Sequence, residues 1–277
     1  MNKLLKIKAK KLASSVFLWN YKTAFKWTWL EFSDFREYSF SDDEKYIDFA
    51  VSSKSGRTII RQYEEERELK ILFFFDLSET FLFWDDKKKI DTLIETFYLL
   101  AFSAVSNGDK IWAYFNLWDS RKFISFNGWN MAISNILKVF DSTNLESVNF
   151  EDSLDLSCLM NLKLKNSLVF VFSDKLDLEE KSFKYLNSKN DVVVVNIFDK
   201  FENSLEGKGL IWLKNFESNF FINLDNKKKV LEYKKLRSEK IEAFRKKVYK
   251  FWANYVFLDN YSNVVKELFK LMKEREK

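Results

Sequence analysis

The sequence predicts an α/β protein with a mainly parallel sheet that helices cover on both faces. Two observations predict this fold class. Apolar runs of strand length, such as LKILFFFD and SLVFVFSD, show no alternation with polar residues, which is typical of strands buried on both faces. Segments with helical spacing of apolar residues separate these runs, and alternation of strands with helices favours parallel pairing.

The individual elements follow from the same patterns. Strands are predicted at LKILFFFD, KIWAYFNL, KFISF, SLVFVFSD, DVVVVNIF and YVFL. Helices are predicted at 87–106, 128–141, about 150–162, 178–188, about 226–252 and from Tyr261 onward. The pair Asn107-Gly108 ends the first of these helices, because glycine readily adopts the left-handed conformation of a helix C-terminus. Residues 209–224 are predicted to form a hairpin.

Two parts of the chain differ in their patterns of polar and apolar residues. Residues 1–68 are predicted to form an N-terminal extension, with a basic amphipathic helix followed by irregular or β structure, packed on the core. Residues 69–277 are predicted to form the α/β domain, with a hairpin and helix inserted at about 206–252. A chain of 277 residues is long enough to bury a sizeable core.

The composition excludes several classes of site. The chain contains no histidine, which excludes histidine-liganded zinc and a Ser-His-Asp triad within it. Its single cysteine, Cys158, cannot form an intrachain disulfide, fits a reducing compartment and is interpreted as a core residue. No apolar run approaches the length of a membrane span. We therefore expect a cytoplasmic protein, with a position at the inner face of the membrane as the alternative.

The helix predicted at about 226–252 is strongly basic. It carries 11 lysines and arginines against three glutamates, so its net charge of +8 exceeds the +5 of the whole chain. The favoured interpretation is a solvated helix face, and the alternative is a surface for nucleic acid or another anionic partner. No nucleic acid is expected as the main partner.

The stretch FFFDLSET places oxygen-bearing side chains directly after a buried strand. Asp76, Ser78 and Thr80 occupy alternate positions, so an extended backbone would point them the same way. SLVFVFSD supplies Asp174 at the end of a second strand. Such an oxygen-only set suits Mg²⁺ or Mn²⁺. Capping of strand ends and helix starts explains the residues equally well by spacing alone.

Two known protein families contain similar sequence motifs. Von Willebrand factor A-like domains use D-x-S-x-S/T after the first strand, a threonine in a later loop and an aspartate after the fourth strand to form a metal-ion-dependent adhesion site. Haloacid-dehalogenase-type phosphatases use D-x-D-x-T, with the first aspartate as nucleophile. Ser78 stands here at the position of their second aspartate, and a hydroxyl cannot carry that proton at neutral pH. A divergent phosphatase with Asp76 as nucleophile is therefore the weaker alternative.

The segment LEFSDFREYSFSDDEKYIDFAVSSKSGRTIIRQYEEEREL strongly resembles the bacterial family catalogued as domain of unknown function 58, a von Willebrand A-like group. That family's pattern runs roughly EF-x-x-x-R-x-Y-x-x-G-D-D-x-R-x-I-D-W, followed by EEREL before the D-x-S-x-S strand. The matching positions here are Glu31, Phe32, Arg36, Tyr38, Asp42, Asp43, Ile47, Asp48 and Glu64 to Leu69. The resemblance implies a von Willebrand A-like fold with Asp76, Ser78, Thr80 and Asp174 as metal ligands.

The chain also departs from the family pattern. Ser41 stands where the family has glycine, Lys45 where it has arginine and Phe49 where it has tryptophan. If VNFEDSL aligns with the family's T-D-L-x-x-x-L, Val148 stands at the loop threonine of the metal site, and Ser147 or Asn149 is the alternative ligand. Because losing one oxygen ligand weakens coordination, we expect Mg²⁺ or Mn²⁺ to bind weakly or not at all.

The resemblance further implies a non-enzymatic role. Such proteins are associated with MoxR-type AAA+ ATPases and other von Willebrand A-like proteins, and the implied role is a non-enzymatic adaptor in chaperone-like assembly or activation of partner proteins. Arg36 with Asp42, Asp43 and Asp48 is interpreted as a structural ion-pair cluster in preference to a set of catalytic carboxylates.

Overall fold

The structure, a computed structural model, describes residues 21, 24, 30–65, 69–82, 88–117, 121–125, 129–142, 153–214 and 219–275. The chain divides into two compact units, one comprising Lys26–Leu69 and the other comprising Met1–Phe25 with Lys70–Lys277. The predicted N-terminal helix lies almost entirely outside the described residues. The predicted packing of residues 1–68 on the core stays a prediction.

The smaller unit is an antiparallel strand pair with a short helix. Strand β1 (Leu30–Glu37) pairs with β2 (Ile59–Glu65), with an irregularity in register between Phe32 and Asp34. Helix α1 (Phe49–Ser55) lies between them in sequence and ends at Gly56, whose φ of 69° is left-handed. Glycine suits this position because it adopts positive φ without steric cost.

The larger unit contains the remaining strands and helices. Its strands are β3 (Lys70–Asp76), β4 (Lys110–Asn116), β5 (Arg121–Ile124), β6 (Ser153–Leu154), β7 (Ser167–Ser173), β8 (Asp177–Leu178), β9 (Asp191–Phe198), β10 (Leu210–Lys214), β11 (Asn219–Asn223) and β12 (Asn254–Asp259). Its helices are α2 (Lys89–Asn107), α3 (Trp129–Ser142), α4 (Ser157–Met160), α5 (Glu180–Asn187), α6 (Lys200–Ser204), α7 (Lys227–Lys250) and α8 (Val264–Arg275). None of the described helices combines the length and apolar character needed to cross a membrane.

Six of these strands form one central sheet in the order β12-β9-β7-β3-β4-β5. Every neighbouring pair is parallel except β4 and β5, which are antiparallel. This arrangement confirms the predicted α/β class with a mainly parallel, Rossmann-like sheet. The predicted hairpin is the pair β10-β11, which precedes the long basic helix α7.

The phenylalanines of β3 divide between the two faces of the sheet. Phe73 and Phe75 are fully buried on one face, where their rings meet Phe97 of α2 edge-on at centroid distances of 4.9 and 5.5 Å. Phe74 belongs to the core cluster of the other face, which also contains Phe244 of α7. Helices therefore cover both faces, and this explains why the strand sequence shows no polar alternation.

The helix predicted at about 150–162 is wrong in most of its length. The described part of this segment is the short strand β6, which pairs with β8, followed by the single turn α4. Leu154, Leu156 and Leu159 are all buried. The spacing of these leucines arises because an irregular segment turns them toward the core. Over so few residues, this spacing cannot be distinguished from that of a helix.

Cys158 is a buried free thiol, as the sequence predicts. It belongs to the same core cluster as Phe74 and Tyr114. Burial raises the pKa of the Cys158 thiol above its usual value. A buried cysteine with a raised pKa is unreactive near neutral pH, so this residue packs rather than reacts.

Candidate functional site

The predicted site residues lie at the carboxyl-end edge of the central sheet. Strands β3 and β7 are parallel neighbours, so Asp76 at the end of β3 and Asp174 just beyond β7 come to the same edge. Asp76 and Ser78 are buried, at 2% and 6% exposure. Edges of this kind are where open α/β sheets collect ligands.

Asp76 is held by neighbours on both of its carboxylate oxygens. Asn116 Nδ2 donates to Oδ1 at 3.0 Å, and Ser173 Oγ donates to Oδ2 at 3.0 Å. The ammonium of Lys175 lies 3.3 Å from Oδ1 and 3.1 Å from Oδ2. Burial raises the pKa of Asp76, and the charge of Lys175 with the hydrogen bonds offsets this effect only in part.

Asp174 is the centre of a second group of contacts. Ser78 Oγ donates to Asp174 Oδ1 at 3.3 Å, and Thr80 Oγ1 donates to Oδ2. Lys89 Nζ donates to the same Oδ2 at 2.9 Å and to Glu202 Oε1 at 3.0 Å. Burial alone would raise the pKa of Asp174, but the charge of Lys89 and the hydrogen bond from Thr80 outweigh burial and lower it. The carboxylate is therefore ionised and paired at neutral pH.

The structure brings the four predicted ligands to one edge but divides them between these two groups. The expected extended backbone after Asp76 is wrong, because a 3-10 turn spans Glu79–Leu82. That turn brings the hydroxyls of Ser78 and Thr80 within 2.6 Å of each other. Both hydroxyls then contact Asp174, whereas the hydrogen bonds of Asp76 go to Asn116, Ser173 and Lys175.

Two lysines that the sequence analysis did not identify complete the site. Lys89 opens α2 and is only 1% exposed, and Lys175 is 11% exposed in its side chain. Some signal was present in the sequence. Lys175 directly follows Asp174, and Lys89 lies one helical turn before Leu93, on the apolar face of α2. The sequence does not show, however, which carboxylates these ammonium groups meet.

Glu202 and Arg237 extend the network on the far side of Lys89. Arg237 Nη2 donates to Glu202 Oε2 at 2.6 Å, and its Nε donates to Asn203 Oδ1 at 2.7 Å. The guanidinium also lies over the ring of Phe198, 5.4 Å from its centroid. The basic helix α7 thus supplies one of its arginines to hold Glu202 in place beside Lys89.

The donor set as arranged does not fit a divalent cation. Ammonium groups already contact Asp76 and Asp174, the two carboxylates that a cation would need. Among the described residues, no three side chains of His, Cys, Asp or Glu are grouped so that they could hold a metal ion. Val148, the predicted replacement for a ligand threonine, lies outside the described residues.

Arg36 and Asp42 of the smaller unit form a two-pronged ion pair. Arg36 Nη1 donates to Asp42 Oδ2 at 2.9 Å, and Nη2 donates to Oδ1 at 2.5 Å. The backbone N–H of Ser39 also donates to Asp42, at 2.8 Å. The hydrogen bond from Arg36 lowers the pKa of Asp42 below its usual value. This pair fixes the turn that follows β1.

Asp43 and Asp48 do not join that pair, so the predicted single cluster is three separate ion pairs. Asp43 meets Lys45 at 2.6 Å. Asp48 accepts the backbone N–H of Val51 at the start of α1 and pairs with Arg61 Nη2 at 2.6 Å. Asp48 therefore has a structural role, because it caps α1 and connects that helix to β2. Arg61 was missed because the family pattern does not include it.

The basic helix α7 exposes most of its charge. Its exposed basic residues include Lys227, Lys228, Lys229, Lys235, Lys240, Arg245, Lys246 and Lys250. Lys247 differs, because its ammonium donates to Asp177 Oδ1 at 2.8 Å and lies 3.5 Å from Glu180. Lys247 therefore anchors the helix, while Lys246 beside it faces solvent.

Comparison with known proteins places the chain in a family. The crystal structure of the conserved hypothetical protein BatB from Bacteroides thetaiotaomicron is similar, with 12% identity over 75% of this chain and 98% of that chain and a TM-score of 0.43. No curated protein matches the chain. Residues 34–242, well over half of the chain, match the family described as protein of unknown function DUF58. The chain therefore belongs to the DUF58 family.

Proposed function

We propose that this protein is a non-enzymatic adaptor that acts with a MoxR-type AAA+ ATPase in chaperone-like assembly or activation of partner proteins. The family resemblance implies the ATPase partner, and the observation that supports a non-enzymatic role is the state of the strand-end carboxylates. Asp76 and Asp174 are both buried in ion pairs with lysines, so neither is free to take or deliver a proton or to attack a substrate. A site of this kind can shape a surface for a partner without performing a reaction.

The contacts of Asp76 disfavour the enzyme alternative. A nucleophilic carboxylate must present an unshared oxygen to the substrate. Both oxygens of Asp76 contact Lys175, and each also accepts a second hydrogen bond, from Asn116 or Ser173. The position of the phosphatase general acid is Ser78, whose hydroxyl donates to Asp174. These contacts favour the adaptor over a phosphatase.

Capture of the ATPase tests the proposal. Lys88 and Lys200 are exposed; Lys88 directly precedes Lys89 at the start of α2, and Lys200 directly follows Asp199 after β9, so both lie near the carboxyl-end site. We expect the tagged protein to retain a MoxR-type ATPase, identified by mass spectrometry, and the double variant Lys88→Glu with Lys200→Glu to retain much less. Lys165→Glu is the matched control, because Lys165 is exposed at the opposite edge, just before β7.

Two outcomes would contradict the adaptor proposal. One is no retention of the ATPase by the wild type. The other is turnover of generic phosphate esters in the presence of Mg²⁺ that Asp76→Asn abolishes, which would establish the phosphatase alternative. Equal retention by the edge variant and the wild type would contradict the placement of the binding surface at this edge.

The exposed face of α7 favours nucleic-acid binding as a second candidate. If this face binds phosphates, retention on DNA or RNA should fall steeply with salt, and neutralising Lys235 and Lys246 should reduce both the affinity and the salt dependence. Lys247 is unsuitable for this test, because neutralising it would break its contact with Asp177. Salt-independent retention, or retention that survives loss of both exposed lysines, would reject this candidate.

A further inference from the structure

Two ammonium groups lie where the resemblance implies a metal ion. Lys175 Nζ contacts both oxygens of Asp76, and Lys89 Nζ contacts Asp174. We propose that Lys89 and Lys175 together take the place of the divalent cation, so that this strand-end site is complete without metal. The inference concerns the same edge as the proposed adaptor function but does not rest on it, because it is tested without any partner.

The charges of the site agree with this substitution. Asp76 and Asp174 bring two negative charges to the edge, and Lys175 and Lys89 return two positive charges, which is the compensation that a divalent cation would supply. The additional contact of Lys89 with Glu202 does not disturb the balance, because Arg237 pairs with Glu202. A divalent cation added to this arrangement would leave an excess of positive charge in a buried place, which is costly.

The occupancy of the carboxylate oxygens agrees as well. Mg²⁺ requires near-octahedral oxygen ligands at about 2.0–2.1 Å. Oδ2 of Asp174 already accepts from Thr80 and Lys89, and both oxygens of Asp76 contact Lys175. Metal binding would therefore require the ammonium groups to withdraw.

The lysines are fixed by the surrounding structure. Asn196 of β9 is fully buried, and its Nδ2 donates to the carbonyl oxygens of Ser173 and Lys175 at 3.1 and 2.9 Å. The backbone N–H of Lys175 donates to Ser173 Oγ at 3.2 Å. Lys89 is held at the first position of α2. The fold thus fixes the backbone from which each lysine extends, and the ion pairs with Asp174 and Asp76 hold the two largely buried ammonium groups.

The first test is the metal response of the unmodified protein. Thermal unfolding is measured in EDTA and in about 10 mM MgCl₂, with NaCl matching the ionic strength, because a ligand that binds the native state raises Tm by mass action. We expect Tm to be the same in both conditions. A rise of about 3 °C or more in MgCl₂ would overturn the proposal.

The second test removes both ammonium groups. In the double variant of Lys89→Met with Lys175→Met, Asp76 and Asp174 lose their cations, so we expect MgCl₂ to raise the Tm of the variant by about 2–6 °C. Lys247→Met is the control, since it breaks a lysine–carboxylate pair with Asp177 and leaves both of these lysines in place, so it should gain no such response. Failure of the folded double variant to gain a Mg²⁺ response would overturn the claim that the two ammonium groups stand in the cation's place.

A direct binding measurement keeps the proposal falsifiable if the double variant of Lys89→Met with Lys175→Met does not fold. Mn²⁺ bound to protein is distinguished from free Mn²⁺ by its electron paramagnetic resonance signal. We expect the wild-type protein to leave the Mn²⁺ signal unchanged. Loss of the free signal at submillimolar Mn²⁺, reversed by excess Mg²⁺ and weakened by Asp174→Asn, would show a working metal site and reject the proposal.

Discussion

Replacing Lys89 with methionine should destabilise the protein by about 3–5 kcal/mol, the usual result of removing one partner from a buried ion pair. Lys89 is 1% exposed and donates to Asp174 at 2.9 Å and Glu202 at 3.0 Å. Methionine has a similar length and apolar body, so the variant keeps most of the packing and loses the charge. Asp174 is then left buried with hydroxyl donors alone. Urea unfolding that compares the midpoint with that of the wild type measures the effect.

A matched surface pair separates this effect from the loss of any salt bridge. Arg245 and Glu242 form an ion pair at 3.0 Å with side chains 47% and 43% exposed. Because solvent screens such pairs, Arg245→Met should change the free energy of unfolding by about 0–0.5 kcal/mol. The double variant of Lys89→Met with Asp174→Asn should recover part of the loss. If Lys89→Met and Arg245→Met changed the free energy of unfolding equally and only slightly, the buried ion pair would contribute no more to stability than the exposed one.

The deficit of Lys89→Met should depend on pH in a defined direction. In the wild type the pKa of Asp174 is lowered, so its contribution is present above the unfolded pKa and is lost as pH falls through the folded value. In the variant, burial without Lys89 should raise the pKa of Asp174, so acid protonates the carboxyl and relieves the unpaired charge. The pKa of Lys89 is raised in the wild type, so its contribution persists to alkaline pH. The difference between the two proteins should therefore be largest near neutral pH and shrink in acid.

The order of strands and helices could be predicted because burial of an element leaves a recognisable pattern of apolar residues in its own sequence. Buried parallel strands such as β7 and β9 appear as continuous apolar runs, and Asn107-Gly108 marks the end of α2. The segment at 153–160 could not be assigned, because its leucines face the core from an irregular backbone. Three apolar residues within one or two turns carry too little information to separate these cases.

The candidate site was only half predictable, for a different physical reason. Acids and hydroxyls at strand ends could be located, because parallel strands bring their carboxyl ends to one edge. The identities of their partners depend on contacts distant in sequence, such as Lys89 with Glu202 and Lys175 with Asp76. A lysine in a helical pattern is ordinarily interpreted as solvated, since its burial is justified only by partners that the fold supplies.

The second large effect is expected in the core, where Phe75→Ala should destabilise the protein by about 3–5 kcal/mol. Phe75 is fully buried in the centre of the sheet. Its ring lies 4.8 Å from Phe115, 4.9 Å from Phe140, 5.2 Å from Phe172 and 5.5 Å from Phe97, measured between centroids. Alanine would remove these contacts and leave a cavity that four rigid rings cannot readily fill.

Phe123→Ala provides the control, because Phe123 lies on the edge strand β5 and is 48% exposed. Its replacement should cost about 1 kcal/mol or less, since much of the side chain already contacts water. Both variants are compared by urea unfolding, with Phe75→Leu as an intermediate that keeps most of the apolar volume. A ranking of Phe75→Ala, then Phe75→Leu, then Phe123→Ala is expected. If Phe75→Ala cost no more than Phe123→Ala, the run FFFD could not be the central buried strand, and the position of Asp76 at the end of that strand would fail with it.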